Sequence, residues 1–74
     1  MTQLEVFNAL EDCRWKDRMN PIEFSKTLPI CHNTQRIHLK HGKAKWKTVV
    51  AIIKYLRARG VKVNYVELDG MKVS

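Results

Sequence analysis

Asn33, Thr34, Gln35 and Arg36 stand in consecutive positions, with His32 just before them and His38, Lys40 and His41 just after. These side chains share one chemistry, directed hydrogen bonding to the edges of heteroaromatic rings. An Arg fork matches guanine O6 and N7, Asn or Gln matches adenine N6 and N7, and a Thr hydroxyl serves either. Lys40, Lys43, Lys45 and Lys47 crowd around Gly42 without an acidic neighbour, so their mutual repulsion would be relieved by phosphates. Between Glu23 and Glu67 lie ten Lys or Arg, all three His and no Asp or Glu, which gathers the net charge of +7 into one continuous part. A folded surface of that sign attracts polyanions and releases their condensed counterions. The expected base contacts are therefore Asn33, Thr34, Gln35, Arg36 and His38. The expected phosphate contacts are Lys26, His32, Lys40, Lys43, Lys45 and Lys47. Lys54, Arg57 and Arg59 fall at the end of a helix, where cations complement the dipole, and are expected to be solvated surface.

Other chemistries find little support. Cys31, His32, His38 and His41 match no zinc-ligand spacing, and no metal or other cofactor is expected. There is no Ser-His-Asp set, carboxylate pair or glycine-rich phosphate loop, so the chain does not read as an enzyme with a small-molecule substrate. Cys13 and Cys31 read as small buried hydrophobes, and their lack of CxxC spacing suits a reducing compartment. The longest apolar run, 49–53, is too short to cross a bilayer, and no secretory signal opens the chain. A cytoplasmic location, in a bacterium or phage-infected cell, is expected.

Four helices and a hairpin must position these residues within one 74-residue domain, a length near the lower limit for a core without staples or a partner subunit. Thr2 and Glu5 form a capping box for a first helix over about 3–18, with Leu4, Phe7, Leu10 and Cys13 at helical spacing. Asn20, Pro21 and Glu23 open a second helix over about 21–28, with Met19 stapled onto Phe24 and Pro29 forcing its end. Asn33 or Thr34 caps a third segment over about 33–41, closed by Gly42. Residues 36–40 also alternate polar and apolar, so a strand competes with the helix there. A fourth helix over about 45–59 carries the apolar stripe Trp46, Val49, Val50, Ile53 and Leu56, which puts Trp46 in the core and leaves only Trp15 as a stacking candidate. Beyond Gly60 the period changes to two, and Asp69-Gly70 turns a hairpin over about 61–74. That turn pairs Val66 with Val73, Glu67 with Lys72 in an ion pair, and Leu68 with Met71. The phase slips at Tyr65-Val66, which indicates a bulge or a ribbon buried on both faces, and the latter fits a subunit interface. The fold class expected is mainly α, a compact four-helix domain with a C-terminal two-stranded ribbon.

A short capped helix, a turn and a polar second helix are the parts of a helix-turn-helix. Here the chain resembles the lambda-repressor-like family of phage Cro and repressor domains. The likeness rests on Ile22-Glu23-Phe24-Ser25-Lys26-Thr27-Leu28, with a small residue after the buried apolar one, and on Trp46-Lys47-Thr48-Val49 leading to Tyr55-Leu56. The tail from Val61 to Val73 looks like the ribbon through which some Cro proteins dimerise. Pro29 replaces the family's turn glycine, Ile37 is paired with Lys40 where two apolar residues are usual, and the span from Leu28 to Gly42 is about one residue longer.

The resemblance implies a dimeric transcriptional regulator binding an inverted repeat in double-stranded DNA, with Val66, Leu68, Met71 and Val73 at the dimer interface. The competing expectation is a protein-interaction module, such as an antitoxin or small phage inhibitor whose basic face covers an acidic partner. Single-stranded RNA binding on the ribbon has only Tyr65 in its favour.

Overall fold

The computed structural model describes residues 1–30 and 33–74; Cys31, and with it the expectation that it is buried, lies outside them. Within these residues the chain is mainly helical, with α1 (Gln3–Lys16), α2 (Pro21–Thr27), α3 (Asn33–Lys40), α4 (Trp46–Ala58) and an antiparallel ribbon of β1 (Val66–Leu68) and β2 (Met71–Val73). Residues 36–40 are helical, which disposes of the strand alternative. No helix is long and apolar enough to cross a membrane among the described residues.

Local sequence accounts for the ends of most elements. Thr2 Oγ1 accepts from the Glu5 amide while Glu5 returns the bond to Thr2 N, and this contact with the Thr2 backbone holds the Glu5 carboxyl below its usual range. Asn20 and Glu23 repeat the arrangement at α2 behind Pro21, with Met19 packed on the core that contains Phe24. Leu28 is extended ahead of Pro29, as the proline ring requires. Helix α3 stops at Gly42, whose φ of +69° lets Lys43 N–H reach the His38 carbonyl at 2.8 Å. Gly60 closes α4 in the same way, with Val61 N–H on Leu56 O at 2.9 Å. At α1 the residue in this left-handed position is Arg18, with φ of +55°, and Met19 N–H reaches Arg14 O. The first helix therefore ends earlier than its expected limit at 18.

The core gathers Val6, Leu10 and Cys13 of α1, Phe24 of α2, Leu39 of α3, Val49, Ile52, Ile53 and Leu56 of α4, and Val66, Leu68 and Val73 of the ribbon. On α1 the inward stripe is thus Gln3, Val6, Leu10 and Cys13, while Leu4 is exposed and Phe7 only half-buried. On α4 the stripe is displaced similarly, and Trp46 stands 56% exposed instead of in the core. Ribbon register is Val66 with Val73, Glu67 with Lys72 and Leu68 with Met71, as the Asp69-Gly70 turn dictates.

Three ribbon expectations require correction. Residues 61–65 form no strand: the Val63 carbonyl is taken by the Arg57 guanidinium at 2.8 and 3.1 Å, which ties this segment to the end of α4. Lys72 lies over the Tyr65 ring at 4.9 Å, and among the described residues it makes no ion pair with Glu67. Of the four side chains expected at a dimer interface, those of Val66, Leu68 and Val73 are buried against their own core, and Met71, 59% exposed, reaches the surface. The outer edge of β1 is occupied as well, because Glu67 N–H donates to Met1 O at 2.8 Å.

Candidate nucleic-acid interface

Helix α3 has eight residues, so its length is about 12 Å. Its buried positions are Arg36 and Leu39, three apart, and not Ile37 with Lys40. This shift of one residue decides which side chains face outward. Around a helix turning about 100° per residue, Thr34, Ile37 and His38 lie opposite the buried pair, and His41 continues that side into the turn. Thr34 and His41 are exposed; Asn33, Gln35, Ile37 and His38 are half-buried.

Arg36 is the main correction to the expected site. Only 3% exposed, it forms an ion pair with Glu11 of α1, donates from Nε to Asn33 Oδ1 at 3.1 Å, and stacks its guanidinium 5.1 Å from the centre of the Phe7 ring. Burial pushes its pKa down from the ordinary arginine value, yet a guanidinium starts too high to lose its proton. Asn33 is drawn into the same contact. Arg36 therefore serves the α1–α3 junction and is withdrawn from the base-contact set, while Asn33, half-buried, has its Oδ1 taken by Arg36. Gln35 Oε1 is buried, and no partner reaches it among the described residues, so it too points away from solvent. Of the remaining expected base contacts, Thr34 is exposed and His38 half-buried on the side of α3 opposite Arg36 and Leu39.

Lys26, Lys40, His41, Lys43, Lys45 and Lys47 are all exposed, and none makes an ion pair among the described residues. The candidate phosphate contact His32 lies outside the described residues. Lys40 Nζ stands 5.9 Å from the centre of the Phe7 ring, which Arg36 also faces, so Lys40 lies towards α1. Between Lys43 and Lys45 the loop is pinned by Ala44, buried, whose amide donates to Gln3 Oε1 at 3.0 Å. That bond ties the backbone between Lys43 and Lys45 to α1. It spans 41 positions, and only the unusual polar residue on α1's first inward position hinted at it.

Comparison with family models, with curated proteins and with solved structures finds no match.

Elsewhere the cations have other occupations. Arg59 holds Asp17 with two bonds of 2.7 and 2.8 Å, which lowers the Asp17 pKa and raises that of Arg59. Arg57 binds backbone carbonyls, and Arg14 pairs with Glu11 at 2.7 Å and with Met19 O at 3.0 Å. Among the described residues no three His, Cys, Asp or Glu are grouped to hold a metal ion. Exposed lysines in no ion pair among the described residues thus include Lys26 at the end of α2, Lys40, Lys43, Lys45 and Lys47 around the α3–α4 loop, and Lys16, Lys54 and Lys62 elsewhere.

Proposed function

We propose that this chain is a sequence-specific regulator of transcription that binds double-stranded DNA in the manner of the lambda-repressor-like family, as a dimer on an inverted repeat. The observation that carries the reading is the short α3 with its outward Thr34 and His38 beside exposed Lys40, Lys43, Lys45 and Lys47 that lack acidic partners. An α-helix, about 10–12 Å across with its side chains, fits the major groove, which is about 12 Å wide. Thr34 and His38 donate to or accept from base edges, and Ile37 offers a methyl surface to thymine. The loop lysines and Lys26 hold phosphates on either side, fixing register without reading sequence. The activity is binding, with no catalytic step.

Dimerisation in this reading uses the open edge of β2, since β1 has its second edge covered by Met1. The inverted repeat expected for such a dimer has half-sites about one helical turn, roughly 34 Å, apart. Selection from a pool of random duplexes tests the whole reading: a palindromic consensus is expected, and a pool that stays random rejects it.

A second reading, a protein-interaction module, is favoured by exposed Trp46 and the apolar groove around it. Under that reading alone, duplex binding stays in the nonspecific range of about 10⁻⁴ to 10⁻⁶ M.

A further inference from the structure

A groove of about 560 Å³ runs between the end of α2 and α4, lined by Leu28, Trp46, Val50 and Tyr55 with Lys47 and Lys54 among them. A smaller hollow of about 200 Å³ shares Pro29, Lys47 and Ala51 with it and continues to Gln35. The surface is mostly apolar, and Trp46 leaves more than half of its area in water. Its only charges are the two lysines, with no Asp or Glu along either part among the described residues.

Positions 47, 50, 51 and 54 follow the i, i+3, i+4, i+7 pattern, so they form one face of α4. The two ammonium groups thus stand seven residues apart, roughly 10 Å along the axis, with apolar surface between them. A second copy of the chain is poorly suited to this face. Two-fold pairing would set Lys47 and Lys54 against the same lysines, without a neutralising acid. What complements the groove is a helix with an apolar stripe bordered by carboxylates about two turns apart.

We infer that this groove docks an acidic amphipathic helix of a partner protein. The inference rests on the protein-interaction reading, names the partner it implies, and does not require DNA binding. Because Lys47 also belongs to the basic surface around α3, partner and polyanion would share one ammonium group.

The test uses Trp15→Phe, which removes the other, 69% exposed tryptophan and leaves Trp46 as the sole reporter. The probe is a synthetic helical peptide with leucines along one stripe and glutamates on both borders; its control carries lysines in place of the glutamates. The acidic peptide is expected to give a saturable blue shift of Trp46 emission, and the basic control none. In Lys54→Glu the acidic peptide should bind at least about tenfold more weakly, and the basic one should gain affinity. The peptide comparison alone decides the matter should that variant fail to fold. Equal binding of both peptides, or no saturable shift up to about 1 mM, overturns the inference. So does a Trp46 shift produced by raising the protein concentration alone, which assigns the groove to a second copy. A shift on adding random duplex DNA that Lys54→Glu abolishes assigns it to nucleic acid and overturns it equally.

Discussion

The Arg36 guanidinium and the Glu11 carboxylate form an ion pair in the interface of α3 with α1, which turns the most obvious base-reading side chain of the sequence into a structural one. Glu11 receives Arg14 as well, at 2.7 Å, so one partly exposed carboxylate serves two arginines from different elements.

Replacing Arg36 by alanine leaves a cavity and Glu11 without its buried partner, a loss of about 2–4 kcal/mol allowing for the partial exposure of Glu11. Arg36→Met, which fills the space with apolar volume, should cost clearly less. Urea denaturation reads both. If Arg36→Ala keeps its stability and instead loses sequence preference in DNA binding, the side chain faces the groove after all.

Asp17 gives a pH signature. Its pKa is lowered in the folded chain by the hydrogen bonds from Arg59, so the contribution is present above the unfolded aspartate value and disappears as pH falls through the lower folded value. Stability should therefore decline below about pH 4 more steeply in the parent than in Asp17→Asn. Urea midpoints between neutral pH and pH 2 report this; identical profiles for the two proteins would remove the ion pair from the account.

Arg18 adopts a left-handed conformation that a side chain tolerates poorly, with φ of +55° at the end of α1. Its side chain is exposed, so glycine there relieves backbone strain without removing packing. Arg18→Gly should stabilise the chain by about 1 kcal/mol, visible as a rise of roughly 4–8 °C in Tm. An unchanged or lower midpoint would show that Arg18 makes contacts outweighing the strain.

Thr34 and Lys43 separate reading from gripping in the proposed complex. Thr34→Val should cost about 1 kcal/mol on the selected duplex and little on random DNA. Lys43→Ala should weaken both alike and reduce the salt dependence by about one counterion. Parallel losses in the two variants, or no loss in either, would contradict the assignment.

What the sequence determined by itself is what operates within a few residues. The capping boxes at Thr2 and Asn20, the break at Pro29, the glycine closures at 42 and 60 and the register set by Asp69-Gly70 all follow from contacts between near neighbours, and each is present as its residues imply. The exposed lysine cluster belongs here too, because long charged side chains without acidic partners stay in water.

Only the tertiary structure decided which face of each helix is inside. On α1, α3 and α4 the helical period is legible, but its phase is set by neighbours tens of residues away. Arg36 turns inward because Glu11 and Phe7 lie across from it, and Gln3 is buried because the Ala44 amide needs an acceptor. Trp46 is left in water because Val49, Ile52, Ile53 and Leu56 already fill the core side of α4. Apolar character alone cannot rank such candidates: the winner at each position is the one whose removal from water is matched by packing or a polar partner, and those partners become adjacent only when the chain has folded.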